Sequence, residues 1–349
     1  VFSWKRGQVK YLSGYHPNYI ANTAVVLVPP SGDPKLFIRF PFDLERAQRE
    51  SWIQTIKACG DMKKMAEEIA REIKRNNESI HHIGFAGGDF VMDEMPYSFL
   101  TYLQHSFPDK VFSDQRKLLV DLRLIKSSEE VEAIRRSAHI ADQGLHTAKR
   151  IIEAGKTELQ VVAGIEETLR ENGAEDHLVV IASPGNRKLI GPPTERTILP
   201  GEEVIIEVAV EKEGYWSQAA AVLFPSAPTP MQNSIRNLTY GAYQDAVTAM
   251  KCGIRCSEIA QRTIHWFREN GFEDFIEQDF GHGIGLDLPE PPKLEIQDNT
   301  LLSTGMIVVA HPALRVPSVG GAFIGGTVAI REQQAEELHD LSFLMEEIQ

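Results

Sequence analysis

The chain has 349 residues, more than one average domain of roughly 100–200 residues, and its 42% hydrophobic and 24% charged residues allow a sizeable core, which excludes disorder, collagen-like repeats and a disulfide-stapled miniprotein. With 49 acidic against 36 basic residues the net charge is −13, the opposite of the basic footprint that nucleic acid or an anionic membrane selects, so neither is expected as a partner. Three cysteines, Cys59, Cys252 and Cys256, form no paired framework and fit a reducing cytoplasm. No apolar stretch approaches the ~20 residues of a membrane span.

In chain order, Val1-Phe2-Ser3-Trp4 reads as a strand already under way, without a signal peptide, so a preceding segment is expected to be missing. Residues 23–28 and 36–39 read as strands around the turn Pro30-Ser31-Gly32-Asp33-Pro34. Residues 61–75 carry Met65, Ile69 and Ile73 at helical spacing, and Ile83-Gly84-Phe85-Ala86 and Leu118-Leu119-Val120 read as further strands. This predicts a small α/β domain over residues 1–124, with no phosphate loop or nucleophile motif. A second domain over 125–349 opens on the capping box Ser127-Ser128-Glu129-Glu130. Its first helix places Val131, Ile134, Ala138, Ala141, Leu145, Ala148 and Ile152 on one face, and Gly155 ends it. Thr157-Glu158-Leu159 leading to Arg170-Glu171-Asn172-Gly173 is echoed by Ser257-Glu258-Ile259 leading to Arg268-Glu269-Asn270-Gly271. Two copies are too few for a solenoid, so a pseudo-two-fold domain around a central pocket is expected.

Three polar positions in this domain stand out. Glu207 interrupts the apolar run 204–210, where burial would raise its pKa and make it a general base; a sheet-surface Glu paired with a nearby basic group is the alternative. In Phe280-Gly281-His282-Gly283-Ile284-Gly285 the flanking glycines allow backbone or ligand to approach the imidazole closely. His311 ends the strand-like Met306-Ile307-Val308-Val309-Ala310 before Pro312, a place where a histidine is more often structural.

These segments, in this order, resemble the pita-bread family of creatinase, prolidase and methionine aminopeptidase. The resemblance rests on Lys126-Ser127-x-Glu129-Glu130 with Ile134-Arg135, on Gly281-His282-Gly283-Ile284-Gly285 and on Gly305-Met306-Ile307-Val308. Ala141-Asp142 and Ile254-Arg255-Cys256-Ser257-Glu258 look closest to the creatinase branch. It implies an α+β fold: a pita-bread C-terminal domain with an internal pseudo-two-fold repeat, preceded by a smaller α/β N-terminal domain that here lacks its first helix. In the family's metallopeptidases two Asp, one His and two Glu hold two metal ions. Carried over, those positions are Glu207, Gln218, His282, His311 and Gly325, so both bridging carboxylates are missing. A second family His falls on Pro289, although Glu290 follows it, and another falls near Ile190-Gly191, where there is none. Creatinase's two glutamates fall on Gln218 and His311, and its two substrate arginines fall near Asn22 and Lys293.

The expectation from sequence is therefore a metal-independent, cofactor-free hydrolase acting on a small-molecule C–N bond of an amide, lactam or guanidino compound. His282 is assigned as general acid/base, Glu207 as base or orienting carboxylate, and His311 with Gln218 as the groups that bind and polarise substrate. Glu290, Lys293, His16 and Asn22 are expected to contact substrate, the last two from the amino-terminal domain of a homodimer partner, as the resemblance implies. Two alternatives stay open: an Xaa-Pro peptidase-like enzyme with a single His/His/Glu metal site, and an inactive domain that binds a peptide or protein.

Overall fold

A computed structural model describes residues 2–3, 6–17, 23–75, 80–86, 88–89, 93–184, 190–277 and 279–345; Asn22 lies outside them. The chain divides into two compact units, Val1–Arg123 and Leu124–Gln349.

In the first unit the strands Ala24–Leu27 and Lys35–Ile38 pair antiparallel across a turn in which Gly32 takes φ +88°. Both are apolar on successive residues because both faces are covered. Val25 and Phe37 pack with Met65, Ile69 and Ile73 of the helix Met62–Arg75. Ala24, Val26, Leu36 and Ile38 point the other way, onto Val9, Tyr15 and Ala47. The full sheet has six strands in the order Thr55–Ala58, Lys35–Ile38, Ala24–Leu27, Phe2–Ser3, His82–Ala86, Val111–Asp114.

The strand expected at Leu118-Leu119-Val120 is instead part of the helix Arg116–Leu124. A three-residue apolar run does not define a period. The helical choice buries Leu119 and Arg123, four residues apart, and pairs Lys117 with Asp121 at 2.6 Å.

Within this unit Arg46 donates to both Asp43 carboxylate oxygens, at 2.7 and 2.6 Å, and the Tyr15 hydroxyl donates to the same group. Burial pushes the Asp43 carboxyl up, but the hydrogen bonds from Arg46 and Tyr15 outweigh it and hold the group below its ordinary range. The stability it contributes is therefore full above the unfolded carboxylate pKa of about 3.9 and is lost as pH falls toward the lower folded value. Asp43→Asn is expected to cost about 2 kcal/mol at pH 7 and to flatten the acid limb of stability below about pH 4. Urea unfolding at stepped pH reads both effects, and an unchanged acid limb would contradict the assignment.

The second unit opens on the predicted capping box: Ser127 Oγ accepts from Glu130 N at 3.3 Å, and the Glu130 carboxylate accepts from Ser127 N at 2.8 Å. The helix Ser128–Ile151 and its successor Glu158–Glu171 cover a sheet whose seven-strand path runs Glu290–Lys293, Gly281–Gly283, Ile307–Ala310, Gly325–Ala329, Tyr215–Leu223, Val204–Lys212, Asp176–Ala182, with Glu336–Glu337 as an eighth strand on Gly325–Ala329. The helix pair Pro230–Ala249 and Cys256–Glu269 repeats the arrangement. A Cβ on Gly144 would come within 2.7 Å of Leu169, and one on Gly241 within 2.6 Å of Trp266, so each half closes its helix pair over a glycine. Gly155 and Gly253, and likewise Gly173 and Gly271, take matching positive φ. The echo seen in the sequence is thus a structural repeat, and the fold is a pita-bread domain preceded by an α/β unit.

A three-stranded sheet of Ile276–Glu277, Ala313–Val316 and Gly320–Phe323 flanks it. All three cysteines are free thiols. Among the described residues no helix is long and apolar enough to cross a membrane.

Candidate active site

Strand register gathers the singled-out residues. Glu207 pairs with Ala220 and Ala220 with Gly325, while Gln218 lies beside Thr327, whose hydroxyl accepts from its backbone N–H at 2.9 Å. Thr327 pairs with Val309 and Val309 with His282. Cross-strand partners and residues two apart share a face, so Glu207, Gln218, His282, His311 and Gly325 all belong to one face of the sheet.

The Gln218 Nε2 donates to Glu207 Oε1, which orients the amide and leaves Gln218 Oε1 buried without a partner. Burial raises the Glu207 carboxyl to about 7, helped by the negative charge of Asp279 and opposed by the Gln218 hydrogen bond. His282 sits between two glycines because the neighbouring backbones close in. A Cβ on Gly281, whose φ is +142°, would lie 1.9 Å from Val309 O, and one on Gly283 would lie 2.1 Å from Pro291 O. The room that side chains at 281 and 283 would need is thus taken by neighbouring backbone.

His282 Nδ1 lies 2.8 Å from Gly283 O; donating there, it leaves Nε2 with the lone pair. Burial, and then neighbouring His311, depress the His282 pKa to about 4. Burial lowers His311 as well. The two rings meet edge to face at 5.5 Å, with Phe323 against His311 at 5.0 Å. His311 Nδ1 is buried and has no partner.

The other expected contacts are placed differently. Glu290 forms a buried ion pair with Lys126 at 2.9 Å and accepts from Asp287 N; its carboxylate is engaged by the fold rather than presented to a substrate. Lys293 pairs in register with His282 but is exposed. His16 belongs to the first unit, where its N–H donates to Glu50 and its carbonyl accepts from Arg46. Sequence reasoning missed Asp279, an exposed carboxylate whose charge acts on Glu207, His282 and His311 together. Its position three residues before His282 was the available signal.

A two-ion centre does not fit these residues. Gln218 carries no charge, and a Cβ at Gly325 would sit 1.9 Å from Ala310 O and 2.5 Å from His311 Cα. Among the described residues no three His, Cys, Asp or Glu side chains are placed to share an ion. What the site does offer is two neutral imidazoles, the protonation state in which histidine binds metal, together with the orphaned Gln218 oxygen. Those are donor types that a single transition-metal ion accepts.

Comparison with known proteins defines the class. Residues 132–332 match Metallopeptidase family M24, and residues 4–125 match the Creatinase/Prolidase N-terminal domain. The chain belongs to family M24. It is 30% identical over 342 residues to an Xaa-Pro dipeptidase of Pyrococcus furiosus, covering 97% of this chain and 92% of the relative. A second Xaa-Pro dipeptidase, from Pyrococcus horikoshii, is 28% identical over 338 residues, covering 96% and 90% of the two chains. The crystal structure of the Pyrococcus horikoshii prolidase superposes with a TM-score of 0.86 at 26% identity, covering 97% of this chain and 93% of that one. The expectation of a metal-independent enzyme is overturned by this membership of a metallopeptidase family and by relatives that are Xaa-Pro dipeptidases. Positions 218 and 325 lack the family's bridging carboxylates, while His282 and His311 remain as metal-donor residue types.

Proposed function

We propose that this chain hydrolyses Xaa-Pro dipeptides with a single metal ion, held by His282, His311 and the Gln218 amide oxygen, with Glu207 as the proton acceptor. The observation that carries it is the half-buried His282 imidazole adjoining the buried His311 imidazole beside unpartnered acceptor atoms, in a chain similar to Xaa-Pro dipeptidases over nearly its full length. A divalent ion there supplies Lewis acidity toward a carbonyl and toward water. Glu207 has Oε1 engaged by Gln218, so Oε2 takes the proton of the attacking water and passes it to the departing proline nitrogen. Acid–base work thus falls to Glu207, and His282 serves through its lone pair. Phe323 shields His311 from water. The same reading takes a small dipeptide as substrate, a homodimer as assembly and the cytoplasm as location, supported by the family resemblance and the free thiols.

Elemental analysis of protein loaded with zinc, iron or manganese is expected to give one ion per chain. Two ions would overturn the single-ion site, and loaded protein that cleaves no Xaa-Pro dipeptide would overturn the peptidase reading. His282→Ala is expected to lose both the ion and turnover while keeping its melting temperature.

A further inference from the structure

The strands Tyr215–Leu223 and Gly325–Ala329 both continue past the point where their direct pairing ends, at Ala219 opposite Gly326. The next position on each is Gln218 and Thr327, and there a side chain takes over from the backbone. Thr327 Oγ1 accepts from Gln218 N at 2.9 Å and donates to Gln218 O at 3.0 Å, so its one proton and a lone pair are both used on that residue. Thr327 is fully buried, and no solvent competes for either bond. Its own backbone is fixed from the far edge: Thr327 is opposite Val309, and its carbonyl accepts from Leu338 N at 3.0 Å. The adjoining His339, bonded to Asp142 at 2.7 Å, lies against Gly326, where a Cβ would come within 3.0 Å of the ring.

Gln218 needs such a support. Its Nε2 is held by Glu207, but Oε1 has no partner within the protein, so the place of that oxygen depends on where the backbone sits. A binding group works only when its support holds it to within about 0.5 Å. We propose that Thr327 is a positioning residue whose hydroxyl clamps the Gln218 backbone and thereby sets the amide oxygen toward the ion, an inference that rests on the single-ion reading above. Thr327 acts through Gln218, because its hydroxyl is spent on that backbone. Thr327→Val keeps the branched shape but strands a buried N–H and a buried C=O, whereas Thr327→Ser keeps the hydroxyl.

The test compares these two variants of the full chain by two measurements. One is zinc affinity by calorimetry; the other is the NMR signal of the Gln218 side-chain amide in metal-free protein, identified by its absence in Gln218→Ala. Thr327→Val is expected to bind zinc about 10- to 100-fold more weakly than wild type, the usual cost of losing a partner that orients a metal ligand, and to shift the amide signal. Thr327→Ser should match wild type in both. In a Gln218→Ala background Thr327→Val should cost no further zinc affinity, since the two residues act as one unit. Thr327→Ala carries the same measurements if the valine variant does not fold. An amide signal unmoved by loss of the hydroxyl, a serine variant that fails to rescue, or additive losses in the double variant would overturn the proposal. A wild type that binds no zinc, while the amide signal still moves in Thr327→Val, keeps the Thr327 assignment and refutes the single-ion reading alone.

Discussion

Lys126→Met is expected to destabilise the second unit by about 3–5 kcal/mol, the cost of leaving one charge of a buried pair uncompensated. Lys126 and Glu290 lie 2.9 Å apart, with side chains only 3% and 7% exposed. A Cβ on Gly285 would lie 2.9 Å from Lys126 Cε and 3.0 Å from a Glu290 oxygen, so the loop after His282 is packed directly onto the pair. Lys126 also donates its backbone N–H to Gly305 O at 2.9 Å, fixing the stem from which the ammonium reaches. Glu290→Gln should cost a similar amount, because it strands the ammonium. The double variant Lys126→Met with Glu290→Met should recover much of the loss, since an apolar pair of similar volume needs no charge compensation. Urea unfolding of the full chain reads all three, and a Lys126→Met loss below about 1 kcal/mol would show that water reaches the pair. The consequence for function is indirect: loosening this pair loosens the loop that follows His282, so affinity for the ion should fall with stability.

Much of the architecture was legible from local signals. The capping box at Ser127 and Glu130, the apolar face from Val131 to Ala148 and the repeated Gly173 and Gly271 turns each declare themselves within a few residues, and each appears in the structure. The candidate site was legible only as a list of residue types, and strand register puts His282, His311, Glu207 and Gln218 on one face. What stayed hidden depends on partners distant in sequence. Glu290 looked available because Lys126, its partner, is 164 positions away. Leu118 to Val120 offered too few residues to separate a period of two from one of 3.6. The inference of metal independence failed for another reason: it ranked the missing carboxylates above the donors that remain, which had supported only the alternative of a single His/His/Glu metal site.

Restoring the family's final carboxylate by Gly325→Glu is expected to fail, costing about 3 kcal/mol or more and adding no second ion. Gly325 is buried in a strand between Ala220 on one neighbour and the end of Ile307–Ala310 on the other. The atoms that a Cβ would strike are Ala310 O at 1.9 Å, His311 Cα at 2.5 Å and Ala310 C at 2.8 Å. All are backbone, so no rotamer change relieves the overlap. The strands must part, and His311 moves with them. Gly325→Ala isolates this effect from charge and should already be destabilised. By contrast, Gln218→Asp with His311→Glu restores two carboxylates without touching position 325 and should fold. That variant is expected to hold one ion per chain by elemental analysis, because the position that would complete a second site is closed by backbone. A second ion in it, or a Gly325→Ala protein as stable as wild type, would show that the backbone is free to open and that the single-ion site reflects side chains alone.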